Sequence, residues 1–233
     1  MSRIADKLSS MVLLLKRGQF GDFVDQIKTW LYSDSYSYGL RRDITIPFAA
    51  PAAKIPIIVR PMQQEDISRI IDSVDDTTSH DRSWILSELS LLTSGIPTGY
   101  LATTSDDTPC YMQWLISSRD NPRIKAHFRA MFPWLNVDET LLEGAYTLPA
   151  FRGQRIMSCA MAQIAERARD VGARWVITFV DHGNVASLKG CHYAGFEPYL
   201  IRRERYRLFR KSVTFEPMSD LLPYPIDRNP RAA

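Results

Sequence analysis

The sequence has little cysteine, little net charge and no long apolar run, and each shortage excludes something. Three cysteines in 233 residues, Cys110, Cys159 and Cys191, do not make a disulfide framework. A reducing compartment is expected, which makes the protein cytoplasmic. No stretch approaches the roughly 20 apolar residues that cross a bilayer. The longest early run, Met11 to Leu15, follows Asp6 and lacks a small-residue cleavage site, so it makes a poor signal peptide. Lys plus Arg is 29 against 26 for Asp plus Glu, a net charge of +3, which is not the basic excess of a nucleic-acid binder. There is no G-x-x-x-x-G-K-S/T and no G-x-S-x-G, which disfavours a P-loop hydrolase and a nucleophile-elbow hydrolase. His80, His127, His182 and His192 have no metal-ligand spacing, and no cysteines pair at zinc-like spacing.

What is present is globular: 45% hydrophobic and 24% charged residues, enough for a sizeable core in one domain with an extension. Residues 1–55 differ from the rest. Ile4, Leu8, Met11, Val12 and Leu15 fall on one helical stripe, Gly18 can end it, and Phe20, Phe23, Val24, Ile27 and Leu31 form a second. This predicts a helical hairpin that packs on the main domain or docks to a partner helix, a second copy or a membrane surface. From Tyr32 to Pro56 the helical period is lost and Pro47, Pro51 and Pro56 follow, which reads as an extended linker. Residues 56–217 form the main domain and 218–233 a tail.

Within the main domain strands and helices mix. Strands are expected at Ile57–Arg60, Gly99–Thr103, Cys110–Ile116, Val137–Leu148 and Trp175–Val180, with one or two over Tyr199–Phe215. Helices are expected over Glu65–Ser73, from Ser79 through Leu92, from Asn121 toward Pro133, over Arg152–Val171 and over Val185–Ala194. Trp175–Val180 is almost entirely apolar, as a strand buried on both faces should be. Arg203, Arg205 and Arg207 alternate along one strand side, a solvated face or a surface that steers an acidic ligand. Asp181-His182-Gly183 follows the buried strand, where ligands approach a sheet, and is otherwise a polar loop.

The segment with chemical content is Leu141 to Phe196. A strand ends at Tyr146-Thr147-Leu148-Pro149, then Ala150-Phe151-Arg152-Gly153-Gln154-Arg155 lead into a long helix. Backbone N–H groups at a helix start lack intrahelical partners and bind anions. Arg152 and Arg155 add positive charge there, so a pyrophosphate fits. The other reading is a helix that merely starts after a proline turn.

These residues resemble the GNAT superfamily of acetyl-CoA-dependent N-acyltransferases. Thr147-Leu148-Pro149-Ala150-Phe151-Arg152-Gly153 is similar to the family's strand end and loop entry, V-x-P-x-x-R-G. Asn184-Val185-Ala186-Ser187 with Ala194-Gly195-Phe196 is similar to its second signature. The resemblance spans about Pro56 to Phe215. It implies an α/β fold, a mixed central sheet flanked by helices, with acetyl-CoA in the splay between the strand ending at Thr147 and the strand Trp175–Val180. It also implies that backbone groups of Ala145, Tyr146 and Thr147 hold the thioester arm and Arg152, Gly153, Gln154, Arg155, Ile156 and Met157 the pyrophosphate. Asn184 and Ser187 complete the donor site, no metal is needed, and the acceptor is a small-molecule or peptide amine. Arg155 and Met157 stand where the family's loop has small residues, so a side chain at either position can crowd the phosphates; alternatively Arg155 points outward or pairs with a phosphate.

Acyl transfer to an amine needs a base and an acid. Glu143 is the candidate base, expected to share a strand face with Ala145 and Thr147 unless a bulge intervenes. The family's tyrosine acid lies seven residues after the asparagine, where this chain has Cys191; Tyr193 is the other candidate, or else an aromatic packed beside Phe196. The expected activity is acetyl transfer from acetyl-CoA to an amine. The alternatives are a longer acyl-CoA or carrier-bound donor, and an acyl-CoA-binding module that has lost its acid.

Overall fold

A computed structural model describes residues 20–72, 79–96, 98–218 and 224–226. The helix expected over Ile4–Leu15 lies outside them. The chain opens with α1 (Phe20–Leu31), β1 (Tyr32–Asp43), β2 (Ile58–Pro61), α2 (Gln64–Asp72) and α3 (Ser79–Thr93). It continues with β3 (Gly99–Thr103), β4 (Pro109–Ser117), α4 (Asn121–Phe128), β5 (Glu139–Thr147), α5 (Ile156–Glu166), β6 (Trp175–Asp181), α6 (Val185–Tyr193), β7 (Glu197–Arg207) and β8 (Arg210–Pro217). The strands form one eight-stranded sheet in the order β2-β3-β4-β5-β6-β1-β7-β8. Only β5 and β6 are parallel neighbours. The expected mixed α/β sheet flanked by helices is therefore observed.

Side chains alternate across the sheet and feed two cores. Tyr111, Leu115, Leu142, Val176 and Leu40 face α5 and α6, where they meet Ala160, Ile164, Leu188 and Phe196. Their chain neighbours Met112, Trp114, Ile116, Leu141 and Ile177 face the other way, toward Ile70 of α2, Ile85 and Leu89 of α3 and Ile124 of α4. The long helix expected over Arg152–Val171 starts late and is two pieces: residues 152–155 are turn, α5 follows, and a 3-10 segment at Arg167–Val171 ends on Gly172 in the left-handed region.

The linker expected over 32–56 is corrected. Tyr32–Asp43 is a full strand, antiparallel to β6 on one side and β7 on the other. Tyr36, Tyr38, Leu40 and Arg42 alternate with Ser35, Ser37, Gly39 and Arg41, which is strand period; the serines and arginines hid it. Tyr38 and Leu40 are buried, and buried Arg42 donates to the carbonyls of Ala162 and Ala194 and pairs with Glu166. So β1 carries core side chains and fastens α5 and α6. Of the expected tail, Met218, Tyr224 and Ile226 pack against the α5–α6 core.

Candidate active site

The β5–β6 ladder is short. Glu139, Thr140 and Leu141 pair with Trp175, Val176 and Ile177, and the ladder ends there, although both strands continue. Beyond Leu141 the edge of β5 facing β6 has no ladder partner, while β6 stays paired to β1 as far as Asp181. Two parallel strands that part in this way leave a cleft lined by backbone N–H and C=O groups, which need partners.

On its other edge β5 is bulged. Met112 pairs with Tyr146 but Trp114 with Glu143, so Gly144 and Ala145 together oppose Gln113. Gly144 has φ +70, which glycine adopts without penalty. The bulge corrects the expected face count. Glu143 lies opposite Trp114, whereas Ala145 packs with the α5–α6 core and Thr147 pairs with Tyr111 of that core. Glu143 is thus on the α3 side of the sheet and Ala145 and Thr147 on the α5–α6 side.

Glu143 has company there. The carboxyl of Glu88, on α3, rests against Gly144 beside the Trp114 ring, and its Oε2 is buried without a hydrogen-bond partner. Burial, then repulsion from Glu143, pushes Glu88 up to about 8. Burial pushes Glu143 up to about 7, against the opposing pull of Arg202 and the Gly144 N–H. Arg202 is itself buried; it donates to Ser37 Oγ at 3.0 Å and the Met131 carbonyl at 3.2 Å, and lies over the rings of Phe179 and Phe132. Glu88 was missed in the sequence. Its signal was there: Ile85, Leu89 and Leu92 mark an apolar stripe, and Glu88 stands on that stripe between Ile85 and Leu92 at helical spacing.

The loop after β5 turns through Pro149–Phe151, and Leu148 N–H bonds back to the Cys110 carbonyl at 3.0 Å. Arg152 folds back on the strand end, donating to the Thr147 carbonyl at 3.2 Å and the Tyr146 hydroxyl at 3.3 Å. Gly153 has φ +77, and a Cβ there would touch nothing. Lys54 N–H holds the Gln154 carbonyl at 2.8 Å. Arg155 is exposed and caps α5 in the left-handed region at φ 59, without a side-chain cap bond. The first-turn N–H groups of α5 are free of intrahelical partners by helix geometry. The expected crowding by Met157 does not occur: its side chain packs against Gly190 of α6. Ile156 is buried, so both residues offer backbone only. On α6, Asn184 Oδ1 accepts from Ser187 N–H at 3.1 Å and caps the helix.

The acid candidates fare differently. Cys191 is 1% exposed, its Sγ lies 3.8 Å from Met161 Sδ, and burial pushes the thiol up to about 12. A thiol sealed in the core cannot reach a leaving group, so this assignment is withdrawn. Tyr193 is 63% exposed rather than packed in the core with Phe196. Arg203, Arg205 and Arg207 gather around Asp34 of β1 at 3.2, 3.2 and 3.9 Å, so the arginine row is largely paired. His182 stacks on Tyr36 with ring centres 4.1 Å apart and belongs to the β1–β6 contact. Among the described residues no group of three or more His, Cys, Asp or Glu could hold a metal, and no helix is long and apolar enough to cross a membrane.

Comparison with known proteins places this geometry. Residues 83–196 match the model of the Acetyltransferase (GNAT) family. No curated protein matches the chain. Among solved structures, an acetyltransferase from the GNAT family of Colwellia psychrerythraea is 14% identical, with a TM-score of 0.52 over 80% of this chain and 57% of that one. A functionally unknown conserved protein from Staphylococcus epidermidis is 12% identical, with a TM-score of 0.50 over 78% and 65%. A GCN5-related glucosamine N-acetyltransferase region in a fungal multi-domain GH3 β-N-acetylglucosaminidase is 12% identical, with a TM-score of 0.52 over 80% and 22%. At these identities the likeness is one of fold, and this chain spans less than two thirds of each relative's length.

Proposed function

We propose, from the premise that this chain carries an acetyltransferase domain of the GNAT family, that it transfers an acetyl group from acetyl-CoA to the amine of a small molecule or peptide. The observation that carries the reading is the cleft between β5 and β6, opening onto the first turn of α5. At Ala145, Tyr146 and Thr147 the edge of β5 facing β6 carries no ladder, which suits the amide-rich arm of the donor, an arm that needs hydrogen bonds along its length. The N–H groups at Ile156 and Met157 suit a pyrophosphate, and open space at Gly153 lets it approach the loop. Arg152 and Arg155 supply charge, and Asn184 with Ser187 borders the site on α6. Three buried free thiols suit a reducing compartment, so we place the protein in the cytoplasm.

Glu143 accepts the proton of the acceptor's ammonium. A carboxylate raised to about 7 is half ionised at neutral pH and holds the proton far better than an ordinary one. The freed nitrogen lone pair forms the amide bond with the acetyl carbonyl carbon as the carbon–sulfur bond breaks; the second proton that the nitrogen gives up passes through water or Tyr193 to the leaving thiolate.

A second reading follows from the burial of Cys191. Without an acid at that position, the chain could bind acyl-CoA, of acetyl or longer chain, without turnover. Two measurements decide. Acetyl-CoA should raise the melting temperature, since a ligand that binds only the folded state stabilises it, by about 2.7 kcal/mol at 100 times Kd. Arg152→Glu should abolish most of that shift. CoA thiol release should then depend on an added amine. An unchanged melting curve in millimolar acetyl-CoA removes the donor site, and binding without release across a broad amine panel leaves the non-catalytic module.

A further inference from the structure

Glu88 is a half-buried titratable group, one carboxyl oxygen of which is fully buried, and the steps above give it no role. A helix facing a core offers leucine more cheaply than a carboxyl with an unpartnered oxygen. Glu88 nonetheless points at the β5 bulge, where Gly144 alone leaves room for it. Glu143 is the next residue, on the same side of the sheet, opposite the Trp114 that flanks the Glu88 carboxyl. We propose that Glu88 is a positioning residue of the reaction centre: its carboxyl, held over Gly144, forms a proton-sharing pair with Glu143 and sets the basicity with which Glu143 takes the acceptor's proton. The catalytic consequence rests on the acetyltransferase reading; the pair itself does not.

The charged groups felt by the pair come from three strands. Glu143 is on β5. Arg202 on β7 draws Glu143 down, and Arg202 is in turn influenced by Glu204 on β7 and Asp181 on β6. Arg202 is bound to Ser37 and Met131, with Glu204 Oε1 3.3 Å from its Nε, so its charge is shared among several partners. With Glu143 at about 7 and Glu88 at about 8, the pair holds one proton between those values. The transferred proton leaves the ammonium nitrogen and joins the Glu143 carboxylate; nothing is oxidised. Once Glu88 also ionises, its charge makes Glu143 hold that proton more firmly.

The test is carboxyl-carbon NMR of the full chain, labelled at glutamate, titrated from pH 5 to 10 as wild type, Glu88→Gln and Glu143→Gln. It is paired with the pH dependence of kcat/KM for CoA release. In Glu143→Gln the Glu88 step should move down by about one pH unit or more, the scale of a neighbouring like charge. In Glu88→Gln one step should remain near 7, and kcat/KM should rise through one ionisation instead of two with KM little changed. The proposal is overturned if Glu88 titrates at the same pH with Glu or Gln at position 143. It is equally overturned if Glu88→Gln alters the melting temperature and leaves the pH profile as in wild type. Should Glu88→Gln fail to fold, Glu143→Gln decides by the first criterion. Should no amine be acetylated by any variant, the activity reading falls while the titrations still decide the pair.

Discussion

The ring of Trp114 and the backbone of Gly144 are in such close approach that a Cβ on Gly144 would lie 2.8 Å from Trp114 Cε3. Trp114 is fully buried and cannot retreat, and Gly144 has φ +70. Gly144→Ala therefore adds a clash to backbone strain, and each is worth about 1–3 kcal/mol. A fall in stability of roughly 2–6 kcal/mol is expected in urea. The bulge orients both Glu143 and the cleft edge, so the acetyl-CoA melting shift should shrink as well. A variant as stable as wild type would mean the bulge does not need glycine.

Cys191 and Met161 share a dry contact in the α5–α6 core, so the thiol acts as a small apolar group. Cys191→Ser buries a hydroxyl in its place, and a loss of about 1–3 kcal/mol is expected from that burial. Turnover per folded molecule should be unchanged. A large drop in kcat with an intact melting temperature would restore Cys191 to the mechanism.

How much of this was legible depended on whether a signal was local. Strand and helix periods from Ile57 onward and the Asn184 cap are local, and they stand in the structure close to where the sequence puts them. Three things were not local. Tyr32–Asp43 reads as polar because part of it faces water, with Asp34, Ser35 and Arg41 exposed, while its place between two strands rests on ladders to distant residues of β6 and β7. The face of Glu143 depended on one extra residue at Gly144–Ala145, and a period-2 count cannot sense a bulge. The fate of Cys191 depended on burial beneath Met161 and Tyr224, more than 29 residues away in the chain. Glu88 was the opposite case: its sign, a carboxylate on an apolar stripe, was local and was passed over.

The two raised carboxyls make stability fall with pH. A carboxyl whose folded pKa exceeds its unfolded value binds its proton more tightly when folded. Its contribution is complete below about 4.5 and is lost as pH rises through about 7 for Glu143 and about 8 for Glu88. A carboxyl held one pH unit above its unfolded value contributes about 1.4 kcal/mol, so the loss across pH 5 to 9 is at most on the order of 3 kcal/mol for Glu143 and on the order of 4 kcal/mol for Glu88. Chemical denaturation at pH 5, 7 and 9 should show the decline, and Glu143→Gln and Glu88→Gln should each flatten it. A double variant with an undiminished slope would place the titrating groups elsewhere.

Strand β1 decides how much of the N-terminal region the fold needs. Residues 1–55 were expected to lie outside the catalytic fold, and a chain starting near Pro56 would then be the natural minimal unit. The sheet says otherwise. In the sheet β1 lies between β6 and β7 and is laddered to both. Removing it leaves two open strand edges, an aggregation hazard. It also takes away Tyr38 and Leu40 from the core, and the Arg42 bonds to Ala162 and Ala194. Burial of two such side chains is worth about 1.5–3 kcal/mol each, a large share of the whole stability of many domains. A chain lacking residues 1–43 should be insoluble or molten, with lost near-ultraviolet circular dichroism and no acetyl-CoA shift. A chain lacking only residues 1–19 keeps β1 and should retain the shift. If the 1–43 deletion gives a cooperative melt and binds acetyl-CoA, β6 and β7 must pair directly, and β1 is an insertion the fold can do without.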